Sequence, residues 1–207
     1  MPTRSFWIDP NDPNLKASVD ALPATPGYCI FIDIAGSTRM KQQGIHRWVA
    51  LIHNCFAIAR CFLHPFPPIK GIGDALMFYI EAPDLAWTGY SPLRLFDGLW
   101  EMAANPDPLY PDVKIGAARC EHVYSMTFLR GNQDYYGIDI DLTAQLQSLA
   151  HAREVVIERR LYEAITANYL SIGNKEQFES YRALTGPIQV ELKGISEVVE
   201  VFRGGGV

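Results

Sequence analysis

A chain of 207 residues, 48% hydrophobic and 20% charged, has apolar material for one well-buried core and is short for two domains. Its formal net charge of −5 argues against binding nucleic acid through phosphate contacts, while leaving room for a local basic groove that takes a small phosphorylated ligand. The four cysteines, Cys29, Cys55, Cys61 and Cys120, show neither CxxC pairing nor zinc spacing and read as reduced core residues. No signal-peptide pattern and no long apolar run appear, so a cytoplasmic protein without a membrane span is expected.

Residues 1–26 carry five prolines and several Asp and Asn, which predicts an extended tail whose Phe6 and Trp7 can dock on the domain. From Gly27, "YCIFIDI" is a β-branched and aromatic run of strand length, and Ser37 to His64 has apolar residues at helical spacing until Pro65 stops it. Ile69–Ile72 and Ala75–Ile80 flank Gly73-Asp74, a dipeptide suited to a tight antiparallel hairpin. A helix is predicted through "SPLRLFDGLWEMAAN" and a strand through "DVKIGAARCEHV".

"GNQDYYGIDIDLTAQLQSLAHA" then passes from a loop into a helix with Leu142, Leu146 and Leu149 on one face. "REVVIE" reads as a strand, "RRLYEAI" as a short helix, and "IQVEL" with "VVEVF" as a closing hairpin through Lys193-Gly194. The order βαββαβ with further elements predicts an α+β fold: a ferredoxin-like core with extra strands, an antiparallel sheet and helices on one face. The domain is expected to span residues 27–203, with 204–207 a flexible end.

Asp33 is an acidic residue inside an apolar strand, and an ionised carboxylate is costly there unless it is paired or binds a metal. Capping the "AGST" turn is the plain alternative. Strand alternation puts Cys29, Phe31 and Asp33 on one face, and Asp74 sits at the tip of the next hairpin beside the end of that strand. Two carboxylates from adjacent strands suit divalent cations that take hard oxygen ligands together with substrate phosphates.

With these residues the chain resembles the catalytic domain of class III nucleotide cyclases, the adenylyl and guanylyl cyclase fold, from about Gly27 to Arg203. The resemblance rests on "FIDIAGST", "KGIGDALM", "QDYYGIDIDLTAQL" and "ELKGISEVVEVF", in that order. It implies Asp33, Asp74 and the backbone carbonyl of Ile34 as ligands of two Mn²⁺ or Mg²⁺ ions. Lys70 and Asp134 match the residues that contact the base, and Lys193 matches the lysine that reaches substrate phosphates. It also implies a nucleoside triphosphate substrate and a head-to-tail homodimer, in which the metals of one protomer face Lys70, Asp134 and Lys193 of the other.

The family pattern G-x-x-x-N-x-x-x-R is only partly kept: Gly137 is present, but Asp141 and Gln145 replace the Asn and Arg. Losing one preorganised donor typically costs about 10²–10³ in rate. Such changes resemble the bacterial pyrimidine cyclases that make cyclic UMP or cyclic CMP in antiphage defence, with a separate effector responding to the product. Arg119, Arg130 and Arg153 are candidates for the missing positive charge.

An adenylyl cyclase making cyclic AMP and a catalytically silent cyclase-homology sensor or dimerisation domain are the alternatives. A diguanylate cyclase lacks its GGDEF-like hairpin here. Phe31 shares the face of Asp33 and is a candidate substrate contact, although inward aromatics are more often core. Tyr135 and Tyr136 are candidates to border the base. His46, His53 and His64 lack a completing carboxylate or cysteine and read as packing or surface histidines.

Overall fold

A computed structural model describes residues 9–126, 134–173, 175 and 178–205 of the chain. Phe6, Trp7, Arg130 and the last two residues lie outside the described residues. The segment expected as extended tail contains a helix, α1 (Pro13–Asp20), because Asp12 caps it by accepting the Asn14 N–H and Pro13 presets the first turn.

Strand β1 (Gly27–Ile34) is buried along nearly its whole length. The single helix predicted after it is two, α2 (Ser37–Gln43) and α3 (Ile45–Phe62), since Gly44 adopts φ 152° between them, a conformation that favours glycine. Strands β2 (Lys70–Ile72) and β3 (Ala75–Glu81) form the expected hairpin, with Ile72 opposite Ala75 and Gly73-Asp74 at the tip. Helix α4 (Ala82–Trp87) precedes α5 (Pro92–Ala104), which Ser91 caps through the Arg94 N–H.

The chain continues through β4 (Val113–Cys120), a small hairpin of β5 (Tyr124–Met126) and β6 (Asp134–Tyr136), α6 (Ile138–Leu149) and β7 (Glu154–Glu158). Helices α7 (Arg159–Ser171) and α8 (Glu179–Arg182) lead to the closing hairpin, β8 (Thr185–Val190) and β9 (Val199–Gly205). Strand β9 runs two residues beyond the expected domain end, because Gly204 and Gly205 pair with Val155 and Glu154 of β7.

Seven strands form one sheet in the order β2-β3-β1-β4-β7-β9-β8. Its first half, β2-β3-β1-β4, has the strand order of a ferredoxin-like core. All neighbouring pairs are antiparallel except β4 with β7, which α6 joins as a crossover.

The alternation along β1 divides the interior. Ile30, Ile32 and Ile34 enter a core with residues of α3, α5 and α7, whereas Cys29 and Phe31 enter a second core with Leu142 and Leu146 of α6. Helices therefore cover both faces of the sheet, where the sequence predicted one. The cause lies in β4, whose second-core face carries Gly116, Ala118 and Cys120. A Cβ on Gly116 would stand 2.2 Å from the Gln147 backbone N, so only glycine lets α6 lie this close. Cys29, Cys55 and Cys120 are buried free thiols as expected; Cys61 departs from the expectation and is exposed. Among the described residues no helix is long and apolar enough to cross a membrane.

Candidate active site

Asp33 stands one residue before the end of β1, on the face covered by α6. Its cross-strand neighbour is Lys114 of β4, and Gln147 Nε2 of α6 donates to its Oδ2 at 3.3 Å. Burial raises the Asp33 pKa above the ordinary carboxylate value and the charge of Asp74 raises it further, while Lys114 opposes both. The β1–β3 register, with Ile32 opposite Leu76, sets the end of β1 beside the β2–β3 tip that carries Asp74.

Asp74 sits at the β2–β3 tip and accepts from Lys41 Nζ of α2 at 3.3 Å. Burial pushes its pKa up, but the Ser37 hydroxyl and the Lys41 ammonium outweigh this and hold it below the ordinary value. Helix α2 thus supplies donors to one carboxylate, from Ser37 at its start and Lys41 in its last turn, and α6 supplies one to the other. Among the described residues no cluster of three or more His, Cys, Asp or Glu is placed to hold an ion. Asp33 and Asp74 are nonetheless a chemically fitting pair for Mg²⁺ or Mn²⁺, which bind through one or two carboxylates and complete their shell with phosphate oxygens, carbonyls and water. Ile34, whose carbonyl is the further candidate ligand, ends the β1 ladder opposite Val113.

A second constellation lies on the same sheet face. Lys70, opposite Met77 in the β2–β3 ladder, places Nζ 2.8 Å from both carboxylate oxygens of Asp134. Asp134 also accepts the Tyr135 N–H at 2.8 Å and the Tyr136 hydroxyl at 3.2 Å, and the Lys70 ammonium lies 5.8 Å from the Tyr136 ring centre. Burial acts to raise the Asp134 pKa, yet its hydrogen bonds with Lys70 and the Tyr135 N–H leave it lowered.

Phe31 and Tyr135 do not border this pair as exposed walls. Phe31 is only 7% exposed within the second core, because α6 closes over that side of β1. Tyr135 is 5% exposed, stacks on Tyr79 with ring centres 4.2 Å apart and donates its hydroxyl to Glu81. Tyr136, half-buried beside Lys70, is the aromatic ring at the pair.

The departures on α6 are both accounted for by position. Asp141 is exposed. Gln145 Nε2 donates to the Lys193 carbonyl at 2.8 Å, which ties α6 to the exposed loop carrying Lys193. The start of α6 is fixed by Asp139, which is buried, accepts the backbone N–H groups of Glu121 and His122, and pairs with Arg160 at 2.7 Å.

Neither described candidate arginine reaches the carboxylates. Arg119 lies opposite Tyr28, at the far end of β1 from Asp33, and Arg153 donates to the Ala104 carbonyl of α5. Among the described residues, Lys114 acts on Asp33 and Lys41 pairs with Asp74, two cations that sequence reasoning missed. The predicted β4 strand held the signal for Lys114, because its side chain alternates onto the Gly116 face. His46, His53 and His64 are exposed, as expected.

No protein-family model matches the chain, and no curated protein matches it. Solved structures do. The adenylyl cyclase CyaB from P. aeruginosa superposes with a TM-score of 0.68 at 16% identity, covering 88% of this chain and 94% of that one. The guanylyl cyclase Cya2 gives a TM-score of 0.68 at 18% identity, over 89% and 95% of the two chains. The guanylate cyclase domain of RhGC from Catenaria anguillulae, in complex with GTP, gives 0.62 at 16% identity over 87% and 96%.

Proposed function

On a chain with the fold of class III cyclase catalytic domains, we propose a metal-dependent nucleotide cyclase that converts a nucleoside triphosphate into a 3′,5′-cyclic nucleotide and pyrophosphate. The ribose 3′-oxygen forms a bond to the α-phosphorus, the bond from that phosphorus to the bridging oxygen breaks, and the hydroxyl proton is lost to solvent. The observation that carries this reading is the β1–β3 register, Ile32 opposite Leu76, which brings the Asp33 end of β1 beside the hairpin tip that carries Asp74, together with the Lys70–Asp134 pair on the sheet face of Asp33.

Asp33, Asp74 and the Ile34 carbonyl would hold two Mn²⁺ or Mg²⁺ ions, which when bound make the 3′-hydroxyl more acidic and offset charge on the leaving pyrophosphate. Lys114, beside Asp33, supplies fixed positive charge for phosphate oxygens. Lys70 and Asp134 offer a donor and an acceptor to a base edge, and Lys193 stands on an exposed loop suited to phosphate contact. A head-to-tail homodimer would bring the metal carboxylates of one protomer to the Lys70, Asp134 and Lys193 of its partner.

The substrate in this reading is UTP or CTP, and the product is a messenger for a separate effector in bacterial antiphage signalling. Its support is the pair of departures on α6: Gln145 is turned to the Lys193 loop and Asp141 adds negative charge, so ribose and α-phosphate need a different set of contacts. The intact Lys70–Asp134 pair favours a second reading, an adenylyl cyclase. Incubating the purified protein with ATP, GTP, UTP and CTP and Mn²⁺, and identifying products by mass spectrometry, decides between them. Absence of any cyclic product leaves the silent-domain alternative.

A further inference from the structure

The two candidate metal carboxylates are held unequally. Asp33 receives a neutral amide donor, Gln147, whereas Asp74 receives a full positive charge: Lys41 Nζ lies 3.3 Å from its Oδ1. The same ammonium lies 4.7 Å from the centre of the Trp48 ring, so α2 and the start of α3 position it from two sides. The Lys41 side chain is 40% exposed and that of Asp74 16%. An ion pair this open is weak: it forms in the free protein and is readily displaced.

We propose that Lys41 is the internal counter-ion of the metal site, occupying the Oδ1 edge of Asp74 and competing there with a divalent cation. The inference rests on the reading of Asp33 and Asp74 as metal ligands. It makes binding of a metal ion alone weak, since each ion entering at Asp74 has to displace an ammonium that the protein holds in place. Without Lys41, Asp74 loses its paired cation, and Lys114, across the β1–β4 ladder from Asp33, remains as a positive charge near the carboxylates.

The test is Mn²⁺ binding to the full-length, nucleotide-free protein at neutral pH, read from the electron paramagnetic resonance signal of free Mn²⁺. Lys41→Met is expected to tighten binding about three- to fivefold, the counterpart of a displaced exposed pair. Lys41→Arg should stay near wild type. Arg39→Met removes the same charge from an exposed position on the same helix and should leave the affinity unchanged. Equal tightening by Arg39→Met and Lys41→Met would reduce Lys41 to a general field effect and overturn the inference. So would unchanged or weaker Mn²⁺ binding in Lys41→Met, provided Asp74→Asn weakens it. Should Asp74→Asn leave Mn²⁺ binding unaltered, the metal-ligand reading fails, and the role of Lys41 fails with it.

Discussion

Gln145 Nε2 donates to the Lys193 carbonyl at 2.8 Å, so the residue that replaces the arginine of the cyclase pattern fastens α6 to the loop that carries a phosphate-binding candidate. The neutral amide makes its contact within the protein. One such hydrogen bond is worth about 0.5–1.5 kcal/mol, so Gln145→Ala should raise the KM for triphosphate roughly two- to twelvefold while leaving kcat less changed. Steady-state kinetics with the preferred nucleotide measures it, and an unaltered KM would separate the loop from substrate binding.

Asp33→Ala and Asp74→Ala should each lower turnover by at least about a hundredfold, because each removes a hard oxygen ligand whose ion supplies several kcal/mol in the transition state. The fold should persist. Asp33 is half-buried near a strand end and Asp74 sits at a hairpin tip, so neither is part of the apolar interior. Circular dichroism and thermal unfolding check the fold; near wild-type turnover in either variant would remove that residue from the ligand set.

Much of this arrangement was legible in the sequence, for reasons that particular residues make plain. Alternation along "YCIFIDI" assigns Asp33 to the face opposite Ile32 and Ile34, and Gly73-Asp74 fixes a two-residue hairpin tip. Both are local rules of backbone geometry. What stayed hidden depends on partners distant in the chain. The Leu142 and Leu146 stripe announces that α6 is buried on one side without saying which sheet face it covers; the small residues Gly116, Ala118 and Cys120 of β4 decide that. The same coverage turns Phe31 from a candidate contact into core. Alternation along β4 gives the face of Lys114, but its place opposite Asp33 and the pairing of Lys41 with Asp74 become visible only once the β1–β4 register and the β2–β3 tip are known.

Stability should depend on Asp33 in a direction opposite to that of most surface carboxylates. Burial, and then the Asp74 charge, raise its pKa in the folded protein. Below the unfolded value of about 3.9 the group is protonated in both states and favours neither. As pH rises past that point the unfolded chain ionises more readily, so the folded state loses stability relative to a neutral side chain. In EDTA at pH 7, Asp33→Asn should therefore melt above wild type, and the gap should close on acidification through the ordinary carboxylate range. Differential scanning calorimetry across that range reads both parts, and a lower Tm for Asp33→Asn at pH 7 contradicts the burial argument.

Composite sites make a prediction about mixtures. Asp33→Ala and Lys70→Ala are each inactive if both residues serve every site. In a head-to-tail heterodimer of the two, one site carries both changes and the other neither. Random subunit exchange at equal amounts gives half heterodimers with one sound site in two, so recovery should approach about a quarter of wild-type activity. Absence of recovery after exchange is verified by native mass spectrometry would count against sites shared between protomers.

Base choice turns on the surroundings of Lys70 and Asp134. The pair is closed on itself, with Nζ 2.8 Å from both carboxylate oxygens, and Tyr136 donates to Asp134 from beside it. A base has to open these contacts and replace them with its own donor and acceptor, and a purine and a pyrimidine both carry such an edge. Selection then rests on space: a pyrimidine is one ring smaller, and a bulky side chain at the pair rejects purines by steric conflict. Tyr136 is the half-buried aromatic ring in that position, while Phe31 and Tyr135 are already committed to the second core. UTP and CTP should therefore be turned over well ahead of ATP and GTP, and Tyr136→Ala should narrow that preference, a pocket change of this kind being worth roughly 10–200-fold in discrimination. Competition assays with all four triphosphates give the ratio directly. If wild-type protein cyclises ATP at least as fast as both pyrimidine nucleotides, the intact Lys70–Asp134 pair reads adenine and the protein acts as an adenylyl cyclase.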